Sequence, residues 1–369
     1  MKRIRGWMLA VMAALLMAVG VYAVSDSEPT GGENEASSVE KNNDSTMEVH
    51  FIDVGQGDAT LIESDGHYML IDAGNNDKGT ALQLYLQKQG VEKLDYLVLT
   101  HSDADHIGGA DVIVTKYDVD NVFFGDFEKE NKTYEDLMAA LEYKNLTYST
   151  PKVGSEYVLG NAAFTIVAPN RVYEDANNSS IALVLTDGDI TFLFTGDCEA
   201  EAENDILANG LNIDCDVYKL GHHGSRTSSI KAFLEAVTPT YGVISCGEGN
   251  DYGHPHAEPL NNLRSMGVQI FRTDEQGSII AYSDGSEITW NCAPSDSWQV
   301  GESAENSNMA GGTKKDLSQG NYVIANKKTG VFHKPTCSGL PKEQNQLIFN
   351  SREDAIAAGY DNPCDYCEP

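Results

Sequence analysis

Several side chains that commonly bind metal ions are concentrated in residues 100–109, which read THSDADHIGG. This cluster consists of His101, Asp103, Asp105 and His106. Three other apolar segments are also followed by residues of this chemistry. These residues are Asp72, Asp197 and the pair His222 and His223. Because loops that follow strands at one edge of a sheet lie close together, we expect these imidazoles and carboxylates to meet in one metal site.

The segments that precede these residues have the composition of buried strands. EVHFIDV, DATLIES and HYMLIDA predict three short strands in succession, and YLVLT predicts a strand that leads into His101. SSIALVLTDGDITFLFTGD predicts a hairpin that turns at residues 187–189. TALQLYLQKQG and AEAENDILANG predict helices that end at Gly90 and Gly210. This alternation predicts an α/β protein in which two sheets pack together with helices outside, an αββα sandwich.

The regions before and after this segment of alternating strands and helices have a different composition. Residues 1–23 combine a basic start, an apolar stretch and a small-residue cleavage site, which predicts an export signal; an uncleaved membrane anchor is the alternative. Residues 24–46 and 293–318 are polar and predict linkers, which leaves a large domain at 47–292 and a small one at 319–369. We expect a bacterial monomer that acts at the cell surface or outside the cell, without a stable membrane span after cleavage.

The chain is strongly acidic, with a formal net charge of −31. Residues 47–292 contain 40 acidic and 14 basic side chains. A surface of this charge repels polyanions at long range, which argues against tight, non-specific binding of nucleic acid. It leaves open a local cationic site, or a metal ion that binds one phosphate.

Residues 47–292 resemble the metallo-β-lactamase superfamily, and within it the ComEC-type hydrolase domains. The motifs that carry the resemblance are FIDVGQGDA, LIDAG, LTHSDADHIGG, NNSSIALVL, FLFTGD, LGHHGS and YGHPHAE. The resemblance implies the same αββα architecture that the pattern of elements predicts. It also implies hydrolysis by a water molecule that metal ions activate.

The resemblance further implies a site for two divalent ions. The implied ligands are His101 and Asp103 for the first ion, Asp105 and His106 for the second ion, and Asp197 as a bridge between them. One of His222 and His223 completes the second site and the other lies close to the substrate; the sequence leaves this assignment open. Asp72 is expected to hold a ligand or its loop in place.

Two features depart from the superfamily pattern. The usual HxHxDH motif is HxDxDH here, with Asp103 in the middle, and Asn178 lies where a further histidine is usual. ComEC-type domains share both departures, and we expect Asn178 to support the site without binding metal. Because oxygen ligands favour harder ions, we expect Mn²⁺ or Zn²⁺ here, with Mn²⁺ somewhat preferred.

Three further residues are candidates for contact with the substrate. Asp58 lies in a glycine turn, where turn formation alone is an equally good interpretation. His254 belongs to the YGHPH motif; it is expected to contact substrate or donate a proton, and an exposed imidazole on a proline-stiffened loop is the alternative. Ser225 lacks the surroundings of a nucleophile and is expected to form a hydrogen bond with phosphate or backbone. Asp105, Asp58 and His254 are therefore the candidate catalytic residues.

The segment 319–369 contains a second set of ligands. Three residues separate His333 from Cys337 and two separate Cys364 from Cys367, which predicts a closed site for one structural Zn²⁺. A disulfide between two of the cysteines is the alternative. The segment resembles the metal-binding domain of Ada DNA-repair proteins, with His333 at the position of the methyl-accepting cysteine. The resemblance therefore implies a retained fold without the repair chemistry.

These features predict an exported, metal-dependent hydrolase that acts as a phosphodiesterase or nuclease. Its substrate is then a phosphoester, with DNA and a cell-wall polymer as the two candidates. One alternative is an esterase that removes phosphocholine-type groups at the cell surface. The other is a metal-binding surface module without catalytic activity, and the complete set of ligands argues against it.

Overall fold

The computed structural model describes residues 47–125, 127–301 and a discontinuous set of positions in the last segment. The described positions of that segment are 323–334, 337, 339–342, 345–349, 352–357, 360, 362–364, 366 and 367. The predicted export signal 1–23, the first linker 24–46 and residues 302–318 of the second linker lie outside the described residues. Among the residues that are described, no helix is long and apolar enough to cross a membrane.

Two mixed sheets form the centre of residues 47–301. The first sheet contains β1 (Met47–Phe51), β2 (Thr60–Ser64), β3 (His67–Ile71), β4 (Lys93–Leu99), β5 (Asp118–Phe124), β6 (Tyr148–Ser149), β14 (Ile279–Ser283) and β15 (Ile288–Trp290). Its strands lie in the order β15-β14-β1-β2-β3-β4-β5-β6. The first and last parts of this region therefore share one sheet, because β1 pairs with β14 in antiparallel register.

The second sheet is built from the middle of the chain. It contains β7 (Glu156–Leu159), β8 (Ala162–Ala168), β9 (Ala182–Asp187), β10 (Ile190–Phe194), β11 (Val217–Lys219), β12 (Tyr241–Ile244) and β13 (Gln269–Arg272). Their order is β13-β12-β11-β10-β9-β8-β7. The predicted hairpin is confirmed, since β9 and β10 pair directly across residues 188 and 189.

The two sheets pack face to face through large apolar side chains. Phe51 of β1 stacks on Phe194 of β10, with ring centroids 6.1 Å apart. Phe164 of β8 packs edge-on against Tyr96 of β4 at 5.0 Å. Such aromatic pairs bury large apolar areas and fix the distance between packed sheets. The apolar segments read as strands from the sequence thus form one continuous core between the sheets.

Helices cover the outer face of each sheet. The helices on the first sheet are α1 (Gly79–Lys88), α2 (Ala104–Ile107), α3 (Ala110–Lys116) and α4 (Lys132–Lys144). Those on the second sheet are α5 (Ala200–Asn209), α6 (Lys231–Val237) and α7 (Ala257–Met266), and the short α8 (Thr273–Gln276) follows β13. Gly210 ends α5 with a φ of 75°, a left-handed conformation that glycine adopts without steric cost. The four layers confirm the predicted αββα sandwich.

Parallel strands in both sheets bring the ligand-type residues to one edge. In the first sheet β3, β4 and β5 are parallel, and in the second sheet β10, β11 and β12 are parallel. Asp72 directly follows β3, and His101 comes two residues after β4. Asp197 and the GHHG segment follow β10 and β11 in the second sheet. The loops that carry the predicted ligands therefore come from both sheets, which explains why they are far apart in sequence.

Residues 293–301 belong to the predicted linker but pack against the second sheet. Trp298 and Val300 contact the apolar cluster under α5, α6 and α7. The Arg272 side chain donates a hydrogen bond to the backbone oxygen of Gln299 at 2.5 Å. Because the segment is mostly polar, the sequence did not indicate these two apolar contacts. Their partial burial stabilises the packed conformation.

The last segment forms a separate small sheet. Its strands are β16 (Val323–Asn326), β17 (Val331–His333), β18 (Gln346–Phe349) and β19 (Asn362–Pro363), in the order β18-β16-β17-β19, and its helix is α9 (Arg352–Ala357). The core of the described part is small and is centred on Phe332 and Phe349. A core of this size contributes little folding free energy, so a bound metal ion would stabilise the segment substantially.

Removing a ring from the core between the sheets should destabilise the protein strongly. Phe164 is 1% exposed, so we expect Phe164→Ala to lower the free energy of unfolding by about 3–5 kcal/mol. Val158, on the neighbouring strand, is 66% exposed, and Val158→Ala should change it by less than about 0.5 kcal/mol. Urea unfolding of both variants measures the difference, and equal effects would contradict the described packing.

Candidate metal centre

Four histidines converge on one carboxylate oxygen, Oδ2 of Asp197. The distances from this oxygen to the imidazole Nε2 atoms are 3.3 Å for His106, 3.5 Å for His223, 3.7 Å for His222 and 4.0 Å for His101. Asp197 is 3% exposed, so the convergence lies below the protein surface. A carboxylate oxygen shared among several imidazoles is the arrangement expected of a group that binds metal together with them.

Two of these histidines have their other ring nitrogen engaged by a buried acceptor. His106 Nδ1 donates to Oδ2 of Asp72 at 2.8 Å, and the same carboxylate accepts from the backbone and hydroxyl of Thr100, each at 2.7 Å. His223 Nδ1 donates to the backbone oxygen of Ser245 at 3.0 Å. These contacts place the proton on Nδ1, which leaves Nε2 with a free lone pair for a metal ion.

The other two histidines have polar partners on Nδ1 as well. His101 Nδ1 lies 3.3 Å from the hydroxyl of Ser180. His222 Nδ1 lies 3.2 Å from the hydroxyl of Thr227 and 3.2 Å from the carboxylate of Glu199. All four rings are therefore oriented by the surrounding protein before any ligand binds. The contribution of Ser180, Thr227 and Glu199 was not predicted from the sequence, where these common residue types carry no distinctive signal.

The GHHG segment holds its two histidines in an uncommon backbone conformation. His222 has φ 48° and ψ 46°, and His223 has φ 55° and ψ 26°. The left-handed region is sterically costly for side chains other than glycine, asparagine and aspartate. Each such residue stores on the order of 1–3 kcal/mol of strain, which is common at functional sites. The tight turn that results directs both Nε2 atoms towards Asp197.

The chemistry of the buried donor atoms fits a divalent cation. His101 Nε2 and Asp197 Oδ1 are buried without a hydrogen-bond partner among the described residues. One ligand atom each from Asp58, His106, Asp197 and His223 lies within 4.8 Å of the others. A buried polar atom without a partner is energetically costly, and metal coordination removes that cost. These residues are therefore able to hold metal.

The electrostatics of the site also favour a cation. Burial lowers the pKa of His223, but the carboxylates of Asp197 and Asp58 outweigh it and raise this pKa to about 10. In the same way Asp197 and Asp72 raise the pKa of His106 well above its usual range, against the effect of burial. The carboxylates thus attract positive charge to this place. Metal ions would displace the two protons and supply that charge instead.

The pKa of His101 is shifted in the opposite direction. Burial lowers its pKa to about 4, and the neighbouring His106 contributes in the same direction. The His101 imidazole is therefore neutral near pH 7 and available to bind metal through its unpaired Nε2.

The two central aspartates of the THSDADH segment lie in different surroundings. Asp105 Oδ2 is 3.2 Å from His223 Nε2, inside the cluster. Asp103 Oδ1 is 4.0 Å from His101 Nε2, and its carboxylate forms an ion pair with Lys129. The Asp103 side chain is 34% exposed, so it lies on the rim of the site. Lys129 was not singled out from the sequence, because its segment contains no recognisable motif.

Asp58 forms part of the floor of the site. Its Oδ2 accepts a hydrogen bond from the ammonium of Lys219 at 2.9 Å, and its Oδ1 lies 3.4 Å from His223 Nδ1. Burial raises the pKa of Asp58, but Lys219 and His223 outweigh it and lower this pKa below its usual value. Gly57 brings this turn close to the site, since a Cβ there would lie 2.4 Å from the backbone oxygen of Asp105. Asp58 therefore contacts a histidine of the site. The sequence feature that could have indicated this role is the single lysine, Lys219, in the otherwise apolar strand VYK.

Asn178 and Ser225 both form hydrogen bonds with neighbouring backbone. The side-chain oxygen of Asn178 accepts hydrogen bonds from the backbone of Glu199 and Ala202, each at 3.1 Å, at the start of α5. The hydroxyl of Ser225 lies 3.1 Å from that of Thr227. Asn178 thus fixes the helix that follows Asp197, which is an indirect contribution to the site.

His254 lies just outside the four histidines. Its ring centroid is 5.5 Å from that of His222 and 6.0 Å from that of His223. It is 3% exposed, and its Nδ1 has no hydrogen-bond partner within the described part of the chain. Burial, together with the neighbouring His223 and His256, lowers its pKa to about 3. His254 is therefore a neutral imidazole next to the site.

The predicted second metal site is also assembled. Ligand atoms of His333, Cys337, Cys364 and Cys367 all lie within 4.8 Å of one another. The three cysteines are free thiols in the structure. One imidazole and three thiolates at this spacing form a donor set that suits tetrahedral Zn²⁺.

Comparison with known protein families identifies both parts of the chain. Residues 52–248 match the metallo-beta-lactamase superfamily. Residues 312–369 match the metal binding domain of Ada. The two resemblances inferred from the sequence motifs are therefore confirmed.

Individual relatives cover only parts of the chain. ComE operon protein 3 of Bacillus subtilis (strain 168) is 32% identical over 252 residues, which cover 63% of this chain and 32% of that protein. Competence protein ComA of Neisseria gonorrhoeae is 32% identical over 278 residues, covering 74% of this chain and 36% of that protein. The chain thus spans about a third of the length of these relatives. The bifunctional transcriptional activator/DNA repair enzyme AdaA of Bacillus subtilis (strain 168) is 43% identical over 49 residues, 13% of this chain and 23% of that protein.

Loss of the shared carboxylate should reduce metal binding in the large domain. We expect Asp197→Ala to weaken divalent-metal affinity by at least about tenfold, because it removes the oxygen that all four histidines surround. The exposed Asp189 lies at the opposite end of β10, so Asp189→Ala should bind as wild type does. Elemental analysis after dialysis against limiting Mn²⁺ or Zn²⁺ measures the difference, with circular dichroism as a check on folding. Unchanged metal content in Asp197→Ala would contradict the described centre.

The small domain should carry one zinc ion of its own. We expect Cys364→Ser to lose one equivalent of Zn²⁺, since it removes one of four ligands from a closed site. Cys292→Ser, at a cysteine outside the cluster, is the matched control and should retain the full zinc content. Identical zinc content in the two variants would exclude the four-ligand site.

Proposed function

Because the chain belongs to the metallo-beta-lactamase superfamily, we propose that residues 47–292 form a metal-dependent phosphodiesterase that acts as a nuclease. The metallo-beta-lactamase fold supports a metal-dependent hydrolase. Its substrate is then a phosphodiester polymer, with DNA as the first candidate.

The observation that carries the proposal is the position of Asp197 among four imidazoles. Asp197 and the surrounding histidines would hold divalent ions at the place where a phosphodiester would bind. When bound, divalent ions lower the pKa of a water molecule and stabilise negative charge on phosphate oxygens. With these ions in place, no nucleophilic side chain is required, which agrees with the supporting position of Ser225.

Distances within the cluster support an assignment of the ligands. His223 Nε2 is 3.2 Å from the Asp105 carboxylate and 3.3 Å from His106 Nε2, so we assign these three residues to one ion. His101 and Asp103 would hold the other ion, and Asp197 would contribute to both sites. The side chain of His222 is 21% exposed, against 1% for His223, which fits a position of His222 next to the substrate. We therefore propose that His223 binds metal and that His222 lies next to the substrate.

Basic side chains near the centre support an anionic substrate. Lys129 lies on the rim beside Asp103, and the exposed Arg226 follows the GHHG segment. In a region with 40 acidic and 14 basic residues, these cations are local exceptions. They would bind a phosphate near the metal ions, while the acidic surface elsewhere prevents long-range attraction of polyanions.

The names of the relatives support DNA as the polymer. Similar proteins carry the names competence protein and recombination protein. We propose a location in the cell envelope or outside the cell, with residues 1–23 as export signal and 24–46 as linker. This location brings the enzyme into contact with external polymers.

The last segment is proposed to contact the polymer rather than to react with it. From residue 319 onward it has five basic and six acidic residues, so it is far less acidic than the large domain. His333 replaces the thiolate that would accept a methyl group. The segment therefore keeps a zinc-stabilised fold and offers a surface that a polyanion can approach.

Hydrolysis assays test the proposed activity. We expect metal-loaded protein to hydrolyse single-stranded DNA and bis-(p-nitrophenyl) phosphate, and Asp105→Ala to lower kcat/KM by about 100-fold or more because one ion loses a ligand. Asp189→Ala should retain full activity. Chelation should abolish turnover, and added Mn²⁺ or Zn²⁺ should restore it. Absence of turnover in protein shown to contain metal would refute the phosphodiesterase.

A further inference from the structure

A large aromatic side chain is exposed directly beside the metal centre. Tyr252 is 65% exposed, although its type is usually at least half buried. Its ring stacks on His254, with centroids 5.6 Å apart and an interplanar angle of 18°. Because His254 packs against His222 and His223, this stack places the tyrosine one ring away from the proposed metal ligands.

The loop that carries Tyr252 is held in shape by one buried residue, Asn250. The Asn250 side chain donates to the backbone oxygens of Gly247 and His254 at 2.8 and 2.7 Å. Its own oxygen accepts a hydrogen bond from the backbone of His254 at 2.9 Å. These bonds close the loop on both sides of Tyr252. The exposed ring is therefore preorganised, so little conformational entropy is lost when a ligand stacks on it.

Tyr252 shares the rim of the site with charged groups. Its stacking partner His254 packs against His223, whose Nε2 lies 3.2 Å from the Asp105 carboxylate. Lys129 reaches the same rim through its ion pair with Asp103. The opening of the site thus combines a flat aromatic surface, a cation and the metal-binding carboxylates.

We propose that Tyr252 is a stacking surface for the nucleobase next to the scissile phosphate, so that the substrate is single-stranded nucleic acid. This inference rests on the proposed phosphodiesterase activity and specifies its substrate. Every base has an aromatic face, so stacking on tyrosine binds single strands with little dependence on sequence. A paired base within a duplex is already stacked on its neighbours, so it is not available to this surface.

A choline-type headgroup is the competing ligand for an aromatic ring surrounded by carboxylates. Proteins that bind quaternary ammonium groups enclose them in a cage of several aromatic rings. At this rim the described residues provide one exposed aromatic ring, Tyr252, and its other face is occupied by His254. The ammonium of Lys129 on the same rim would repel a cationic headgroup and attract a phosphate. The observations therefore favour a nucleobase.

Binding measurements separate stacking from catalysis. The probe is a short, fluorescently labelled single-stranded oligonucleotide with hydrolysis-resistant phosphorothioate links, and a matched probe has abasic sites in place of the bases. We expect Tyr252→Leu in metal-loaded, full-length protein to weaken binding of the base-bearing probe by about tenfold or more. Binding of the abasic probe should change by less than about twofold. Tyr252→Phe should restore wild-type binding, because stacking requires the ring and not the hydroxyl.

One control variant and three contradicting outcomes make the test decisive. Tyr143 is 77% exposed on the last turn of α4, and Tyr143→Leu should bind both probes as wild type does. Equal losses for both probes in Tyr252→Leu, or no loss for the base-bearing probe, would overturn the inference. So would a selective loss of p-nitrophenylphosphocholine hydrolysis, which would assign the ring to a cationic headgroup. Failure of the hydrolytic activity is distinguishable, since base-dependent binding would then persist without turnover.

Discussion

Asp197 sets the central constraint of this structure. Its carboxylate is buried among the imidazoles of four histidines, close to the carboxylates of Asp58 and Asp105. Taking a charged group out of water costs several kcal/mol unless opposite charge and hydrogen bonds compensate for it. Protonated histidines or metal ions must therefore supply positive charge here, and the surrounding protein must hold them at short distances. Both sheets of the sandwich take part, because each contributes loops to this one point.

The loops satisfy this constraint through backbone conformations that are costly elsewhere. Asp72, His222 and His223 all have positive φ, although none of them is glycine. In return, the Asp72 carboxylate contacts His106 and Thr100, and the two histidines direct their Nε2 atoms to Asp197. The aromatic core between the sheets and the hydrogen bonds of Asn178 to the start of α5 hold the loops in these conformations. The stable sandwich thus holds the ligand side chains in defined positions.

Charge is distributed so that recognition is local. The acidic surface keeps polyanions at a distance, whereas in the proposed phosphodiesterase the metal-binding cluster and its few neighbouring cations would attract a single phosphate. A flat ring at Tyr252 and a less acidic final segment then offer contacts that do not depend on long-range attraction. An enzyme built in this way selects a substrate through short-range contacts at the site, where desolvated interactions are strongest.

The sequence by itself determined the αββα fold, the family and the residues able to bind metal. Apolar segments of strand length predicted β3, β4 and β10, and ligand types at their ends predicted one site, because parallel strands end at the same edge. It did not identify Ser180, Lys129 or Lys219, since single polar residues carry no periodic or spacing signal. It also treated 293–301 as linker, although Trp298 and Val300 are partly buried against the second sheet. Only the tertiary structure decided these points, because they depend on which atoms of distant loops come within a few ångströms of Asp197, and no local pattern of residues encodes such distances.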